Sequence, residues 1–134
     1  MPVKLSNDSI RMIAAFEKIT EVHAIDCLIK EGCIYFVVSP EKIGLVIGRN
    51  GKVIRELRKV FGRPVRVFGY YDTPEAFLRG VFPSAKIIET GNKRITLTIP
   101  EEERISAIGK NGENINAVRE IMNRHFSIKS LKIK

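Results

Sequence analysis

A Gly-x-x-Gly segment that occurs twice, 61 residues apart, restricts how this chain can fold more than any other feature. The first copy lies in residues 46–54 (VIGRNGKVI) and the second in residues 107–115 (AIGKNGENI). Six aligned positions are identical in the two copies: Ile47/Ile108, Gly48/Gly109, Asn50/Asn111, Gly51/Gly112, Ile54/Ile115 and Arg58/Arg119. A single Gly-x-x-Gly carries little information, but its recurrence in the same apolar context indicates two copies of one structural unit.

The chemistry of the segment is that of a very tight turn between two helices. Glycine adopts positive φ and lacks a Cβ, so another backbone can approach it closely. The second glycine opens a helix, whose free N–H groups and dipole favour an anion such as phosphate. Arg49 and Lys110 add a cation at the first variable position, and Lys52 and Arg55, just after the first Gly-x-x-Gly, are further candidates to contact the phosphate. The alternative is a simple helix–turn–helix elbow with solvated charges, which a repeat in context disfavours.

The charge of the chain suits a polyanionic partner. The 134 residues include 23 Lys and Arg against 15 Asp and Glu, which gives a net charge of +8 and a pI of about 9.7. No apolar run is long enough to span a bilayer and no signal peptide is recognised, so we expect a cytoplasmic protein without a membrane partner. No Cys/His cluster has metal-ligand spacing, and we expect neither a metal nor another cofactor.

The first half of the chain predicts the element order α-β-β-α-α-β. A helix should run from cap candidates Ser6-Asn7-Asp8 to about Ile19. Two strands, 22–29 and 33–39, should form a hairpin about Glu31-Gly32. The expected core face of this hairpin contains Ile25, Cys27, Ile29, Ile34, Phe36 and Val38. With Glu31-Gly32 as a two-residue turn, Cys27 should pair with Phe36 and Cys33 with Lys30. The two cysteines should then lie on opposite faces, and a disulfide between them is unexpected.

Two further helices and a strand complete this half. A short helix capped by Ser39 should lead to the glycine loop. The next helix, 52–61, should end at Gly62 and bury Val53, Ile54, Leu57, Val60 and Phe61. A third strand is expected at 64–70.

The second half predicts the same six elements. They are a helix at 74–82, strands at 86–90 and 93–99 around a Gly91-Asn92 turn, a short helix at 100–108, a helix at 113–126 and a strand at 127–133. The buried stripe of the 113–126 helix should be Ile115, Val118, Ile121 and Met122. A helix-cap signal at Tyr71-Asp72-Thr73-Pro74 is the boundary, so we expect domains at 1–71 and 72–134. The fold class is α/β in the broad sense (α+β), with a three-stranded mixed sheet in each domain.

The repeated segment resembles the KH domain, whose GXXG loop clamps about four nucleotides of single-stranded RNA. A helix and a strand before the β-α-α-β core is the arrangement of type II KH domains. The resemblance therefore implies two tandem type II KH domains over nearly the whole chain. Asn50 and Asn111 stand where many KH loops have glycine, a departure at a position that the motif leaves free.

The pair of domains is similar to the KH pair of the NusA family of transcription elongation and termination factors, in its short archaeal form. By matching position, the resemblance implies RNA-contacting loops and an apolar floor beneath the bases. The loops are Gly48, Arg49, Asn50, Gly51 and Gly109, Lys110, Asn111, Gly112; the floor is Val46, Ile47, Ile54 and Ala107, Ile108, Ile115. The same isoleucines would also suit a helix–helix core, and that alternative stays open.

The function predicted is binding of single-stranded RNA, either nascent transcript or ribosomal RNA, by a monomer that acts in transcription elongation, termination or antitermination. RNA polymerase is a further candidate partner. A ribosome-associated or ribosome-assembly KH factor is the alternative, and the motif alone does not separate the two. An enzyme is not expected, because Gly51-Lys52 lacks both the upstream glycine and the Ser/Thr of a phosphate-binding P-loop.

Overall fold

The structure, a computed structural model of the chain, describes residues 7–134. The chain divides into two compact units between Tyr71 and Asp72. Each unit contains one three-stranded sheet with helices, so the fold is mixed α+β. The cap candidate Ser6 lies outside the described residues.

The first unit follows the predicted order α-β-β-α-α-β. Its elements are α1 (Asn7–Thr20), β1 (Ala24–Ile29), β2 (Ile34–Val38), α2 (Ile43–Ile47), α3 (Lys52–Phe61) and β3 (Val65–Gly69). In the sheet, β1 pairs antiparallel with β2, and β2 pairs parallel with β3. Gly62 ends α3 with φ 70°, as its left-handed C-cap conformation requires.

The core of the first unit lies between its sheet and the helices α1, α2 and α3. The rings of Phe16 on α1 and Phe36 on β2 stack with their centroids 4.1 Å apart. Cys27 pairs with Phe36 as predicted, and both cysteines are free thiols. The core prediction for Ile25 is wrong: a bulge between Ala24 and Asp26 shifts the alternation, so that Ala24 is buried in the core and Ile25 is only half-buried.

Two other details of this unit differ from the prediction. Val60 is 58% exposed, although helical spacing predicts that it is buried. In α3 only Leu57 is fully buried, and Ile54 and Phe61 are partly buried. Ser39 precedes the turn but its side chain makes no capping hydrogen bond, and the turn Pro40–Lys42 is a 3-10 helix ahead of α2.

The second unit repeats the order. Its elements are α4 (Pro74–Val81), β4 (Lys86–Gly91), β5 (Arg94–Thr98), α5 (Glu101–Ile108), α6 (Glu113–Phe126) and β6 (Ser130–Ile133). The Thr73 hydroxyl caps α4 by accepting a hydrogen bond from the Ala76 N–H. β4 pairs antiparallel with β5, and β5 pairs parallel with β6. The predicted α6 stripe of Ile115, Val118, Ile121 and Met122 is fully buried.

The hairpin turn of the second unit lies one residue later than predicted. Gly91 pairs with Arg94, so Asn92 and Lys93 form the two-residue turn. Both have positive φ, 44° and 63°, which is the pattern of a type I′ turn. β6 starts at Ser130 rather than at Ser127, which instead ends α6 in a left-handed conformation with φ 56°.

Candidate functional site

The first glycine loop joins α2 to α3 in a single tight turn. Gly48 has φ 76° and ψ 170°, Asn50 has φ 57° and ψ 27°, and Gly51 has φ 73° and ψ 17°. The Gly48 N–H donates to the Gly44 carbonyl at 2.9 Å, and the Gly51 N–H donates to the Gly48 carbonyl at 3.1 Å. These two bonds close α2 and fix the turn from which α3 starts.

The second glycine loop joins α5 to α6 with nearly the same backbone. Gly109 has φ 80° and ψ 170°, Asn111 has φ 57° and ψ 25°, and Gly112 has φ 72° and ψ 12°. Its hydrogen bonds also match, since Gly109 N–H donates to the Ile105 carbonyl at 2.9 Å and Gly112 N–H to the Gly109 carbonyl at 3.1 Å. The repeat seen in sequence is therefore a repeat of one turn geometry.

The first glycine of each loop is required for two reasons. Both have positive φ, which L side chains rarely adopt. A Cβ added to Gly48 would lie 2.8 Å from the backbone nitrogen of Val53, and one added to Gly109 would lie 2.9 Å from that of Asn114. No side chain fits at this close approach of the loop to the following helix.

The backbone conformation at Asn50 and Asn111 explains why asparagine can replace the glycine that many KH loops have at this position. Both are left-handed, at φ 57°. Asparagine is among the few residues other than glycine that adopt this conformation readily. The loops therefore keep the turn while presenting an exposed amide side chain.

Cations surround the first loop, and one of them also braces it. Arg49 and Lys52 are exposed at the start of α3. The Arg55 guanidinium donates to the Asn50 carbonyl oxygen at 2.5 Å, which ties the loop tip to the second turn of α3. Because this bond uses one of five N–H donors, Arg55 still has donors that face solvent.

The second loop is braced differently. Asn114 is buried, and its side-chain amide donates to the Ala107 carbonyl oxygen at 2.8 Å, joining the start of α6 to the end of α5. The position that matches Arg55 is Asn116, whose side-chain oxygen accepts a hydrogen bond from Arg119 at 3.0 Å. Lys110 is exposed, while Glu113 occupies the first turn of α6.

The predicted apolar floor splits into buried and accessible residues. Val46, Ala107 and Ile115 are buried in the packing of their units. Ile47 is 39% exposed, and Ile54 and Ile108 are half-buried beside the loops. Of these six residues, only the last three are accessible to a ligand.

Sequence reasoning missed one position in each loop region. The carbonyl oxygens of Gly44 and Ile105 accept the hydrogen bonds that the first glycine of each loop donates. Each of the two residues therefore lies one helical turn before its loop. Nothing lies within 4 Å of a Cβ added to Gly44, whereas Ile105 is 87% exposed. The 61-residue alignment pairs these two positions, and it could have identified them.

Two other site classes have no support in the residues described. Within 7–134, no helix has the length and apolar character needed to cross a membrane. The same residues contain no group of three or more His, Cys, Asp or Glu side chains that could hold a metal ion.

Residues 10–72 match the family model described as KH domain. This match covers the first unit, including α2, the first loop and α3. A solved structure titled "Crystal structure of APE1850" is similar over 97% of this chain and 100% of that chain, with a TM-score of 0.79 and 28% identity. The fold of the first unit and its glycine loop are therefore those of a KH domain.

Similar proteins in several archaea carry the name "Probable transcription termination protein NusA". The protein of Halobacterium salinarum is 29% identical over 99% of this chain and 99% of its own length. That of Thermoplasma acidophilum is 28% identical over 98% and 96%. That of Methanocaldococcus jannaschii is 27% identical over 98% of this chain and 75% of its own length. Residues 10–72 therefore match a KH domain, and nearly the whole chain is similar to these archaeal NusA proteins.

Proposed function

We propose that this chain binds single-stranded RNA through two tandem type II KH domains, residues 1–71 and 72–134, and that it acts in transcription elongation, termination or antitermination. The observation that carries the proposal is the common geometry of the two glycine loops. Their corresponding φ and ψ angles differ by no more than a few degrees. Two loops of one geometry are expected to bind one kind of ligand.

Each loop region offers the groups that a phosphodiester backbone needs. The N-terminus of α3 or α6 supplies the positive end of a helix dipole beside a tight turn. Arg49 and Lys110 are exposed at the loop tips, where their charges can meet phosphate oxygens. The backbone can approach closely because the loop glycines carry no side chain.

The bases would lie beside the loops on a small aliphatic surface. The accessible residues are Ile47 and Ile54 in the first unit and Ile108 in the second. A duplex keeps its bases stacked inside, so this surface can only contact bases that are splayed out. Single-stranded RNA is therefore the proposed substrate class.

The transcription role is supported by the relatives, whose printed name is that of a transcription termination protein. Nascent transcript is accordingly the RNA that we favour over ribosomal RNA, and RNA polymerase is the proposed protein partner. Co-purification of the chain with polymerase, rather than with ribosomal particles, is the expected result in a sedimentation profile.

The direct test replaces the exposed residues of the first loop. Arg49→Asp/Asn50→Asp puts two carboxylates where a phosphate would bind, and both side chains project into solvent, so the fold should persist. Binding of a short single-stranded RNA should fall by at least tenfold for this loop, measured by fluorescence anisotropy. Lys110→Asp/Asn111→Asp is the matched change in the second loop.

Two comparisons make this test specific. The same sequence annealed to its complement should bind much more weakly than the single strand. Arg58→Asp/Lys59→Asp reverses the same kind of charge at the exposed end of α3 and should have a small effect. Unchanged affinity in the folded loop variant would refute the loop assignment.

A further inference from the structure

One face of the sheet in the second unit is open to solvent. Along β5, Ile95 and Leu97 are buried, while the alternating residues Arg94 and Thr96 point to the other side. We define the open sheet face as Glu89, Arg94, Thr96, Ser130 and Lys132, with Lys129 at its rim. Each of these residues is exposed or half-buried.

The strand register brings the polar groups of this face close together. Arg94 is paired with Ser130, and Thr96 is paired with Lys132, across β5 and β6. On β4, Glu89 is paired with Thr96 of β5. Neighbouring strands are about 4.8 Å apart, so these side chains share one small area.

This area is a depression of about 850 Å³, lined by the open sheet face together with Lys129 and the β4–β5 turn. Its charged groups are Arg94, Lys129, Lys132 and one carboxylate, Glu89. Residues 109–112 do not line it, so it is separate from the second glycine loop. Within the part of the chain that the structure describes, none of these three cations forms an ion pair.

The corresponding face of the first sheet has the opposite character. The two sheets share the same strand order and pairing directions. In the first sheet, the residues that alternate with the core residues of β2 are Tyr35 and Val37, and Val37 pairs with Phe68 on β3. All three are buried. In the second sheet, this face has hydroxyl and charged side chains and is exposed to solvent.

We propose that the open sheet face is a second contact site for RNA, which holds the phosphodiester backbone without reading its sequence. Arg and Lys side chains with Ser and Thr hydroxyls are the usual ligands of nucleic-acid phosphates. The lining residues include no aromatic ring on which a base could stack, and no large apolar anchor of the kind that dominates protein–protein interfaces. This inference rests on the RNA binding proposed above.

The site predicts a dependence on RNA length. A single KH groove clamps about four nucleotides, so an oligouridine of about that length fills a loop region only. Long poly(U) can follow the surface of the second unit and reach the open sheet face as well. The sheet should therefore contribute to binding of the long RNA and not to that of the short one.

The experiment measures affinity of the full chain for both RNAs across a salt series. Arg94→Gln/Lys132→Gln removes two phosphate contacts. For long RNA it should lower the slope of log K against log salt by about 1.4, at about 0.7 per contact, and reduce affinity roughly tenfold at low salt. Lys129→Gln alone, outside the strands, should lower the slope by about 0.7.

The matched control is Arg11→Gln/Lys18→Gln, which removes one exposed arginine and one exposed lysine from α1. It changes net charge equally and should leave the slope unchanged. An equal loss in the control, or an unchanged slope in both sheet variants, would overturn the inference. If the sheet variants behave like wild type while Arg49→Asp/Asn50→Asp loses short RNA, only the sheet site is refuted. If wild type binds neither RNA, the proposed function fails and the sheet site with it.

Discussion

The two glycine loops have one backbone and two sets of side chains. Gly48 and Gly109 have almost the same φ and ψ, and each accepts the hydrogen bond that closes its turn. Around the first loop, however, Lys52 and Arg55 follow Arg49, whereas Glu113 and Asn116 follow Lys110. The loop geometry proposed for phosphate binding is therefore kept in both units, while the positive charge is concentrated around the first loop.

The braces of the two loops follow the same division. In the first unit the brace is a cation, since Arg55 donates to the Asn50 carbonyl at the loop tip. In the second unit the brace is a buried neutral amide, since Asn114 donates to the Ala107 carbonyl. A neutral brace fixes the turn without adding charge. We infer that the first loop holds the RNA backbone more strongly than the second.

The largest expected effect tests what the two loops share. Gly48→Ala and Gly109→Ala each place a Cβ against the backbone nitrogen of the next helix, at positive φ. Each should destabilise its unit by about 1–3 kcal/mol and reduce RNA affinity more than tenfold. Denaturant unfolding and anisotropy on the same samples measure both.

Gly44→Ala is the matched control for these substitutions. Gly44 has open space around a built Cβ and lies within α2, where alanine is the better helix former. It should be neutral or stabilising by about 0.5–1 kcal/mol. If Gly48→Ala proved as harmless as Gly44→Ala, the tight approach of the loop to α3 would not be required.

The second prediction separates the loops. Arg49→Ala should weaken binding of a long single-stranded RNA about tenfold, because arginine can hold phosphate oxygens through two donors at once. Lys110→Ala should cost about threefold, as expected for a single exposed cation. Both side chains are exposed, so thermal unfolding should be unchanged. A larger loss for Lys110→Ala would reverse the ranking of the loops.

The features that sequence predicted well are those fixed by local chemistry. Glycines at both ends define α3, and its observed bounds, Lys52–Phe61, are the predicted ones. The buried stripe of α6 follows from helical spacing alone. Thr73-Pro74 specifies a helix start, and the structure confirms the threonine cap. Such signals involve only residues within a turn or two of each other.

Features that depend on distant partners were not accessible from sequence. The bulge at Ala24–Asp26 exists only in the pairing of β1 with β2, so the period of two placed Ile25 on the wrong face. Glycine is the stronger turn signal and predicts the hairpin turn at Gly91-Asn92, whereas the pairing of Gly91 with Arg94 puts it at Asn92-Lys93. Exposure of Ile105 also depends on how α5 packs, which its own sequence does not state.

The third prediction addresses the first turns of α3 and α6. Glu113→Lys should raise the affinity of the second loop severalfold, since the carboxylate repels an incoming phosphate. It should also cost about 0.3–1 kcal/mol of stability, because an acidic residue there suits the helix dipole. Lys52→Glu should lower affinity of the first loop by a similar factor of about three to five.

Salt titration tests the electrostatic origin of both changes. The affinity differences between each variant and wild type should shrink as ionic strength rises, because exposed charges are screened within about 10 Å at 0.1 M. Lys59→Glu, at the other end of α3, is the control for net charge. Differences that persist at high salt would point to a changed loop structure instead.

The smallest expected effect concerns the residue one turn before each loop. Ile105 is 87% exposed on α5, and its carbonyl oxygen accepts the Gly109 N–H, so its backbone lies one helical turn before the second loop. We propose that its side chain contacts a base there. Gly44 leaves the matching place in the first unit bare. With the first loop disabled by Arg49→Asp/Asn50→Asp, Ile105→Ala should reduce affinity two- to threefold, because a partly covered isoleucine contributes less than the roughly 1.5–3 kcal/mol of full burial. The loss should vary with the base offered, which backbone contacts alone would not produce.

Ile88→Ala removes another exposed isoleucine of the same unit, on β4, and should change neither affinity nor base preference. Equal effects of the two substitutions would show that Ile105 contacts no base, and the second loop would then differ from the first only in being weaker.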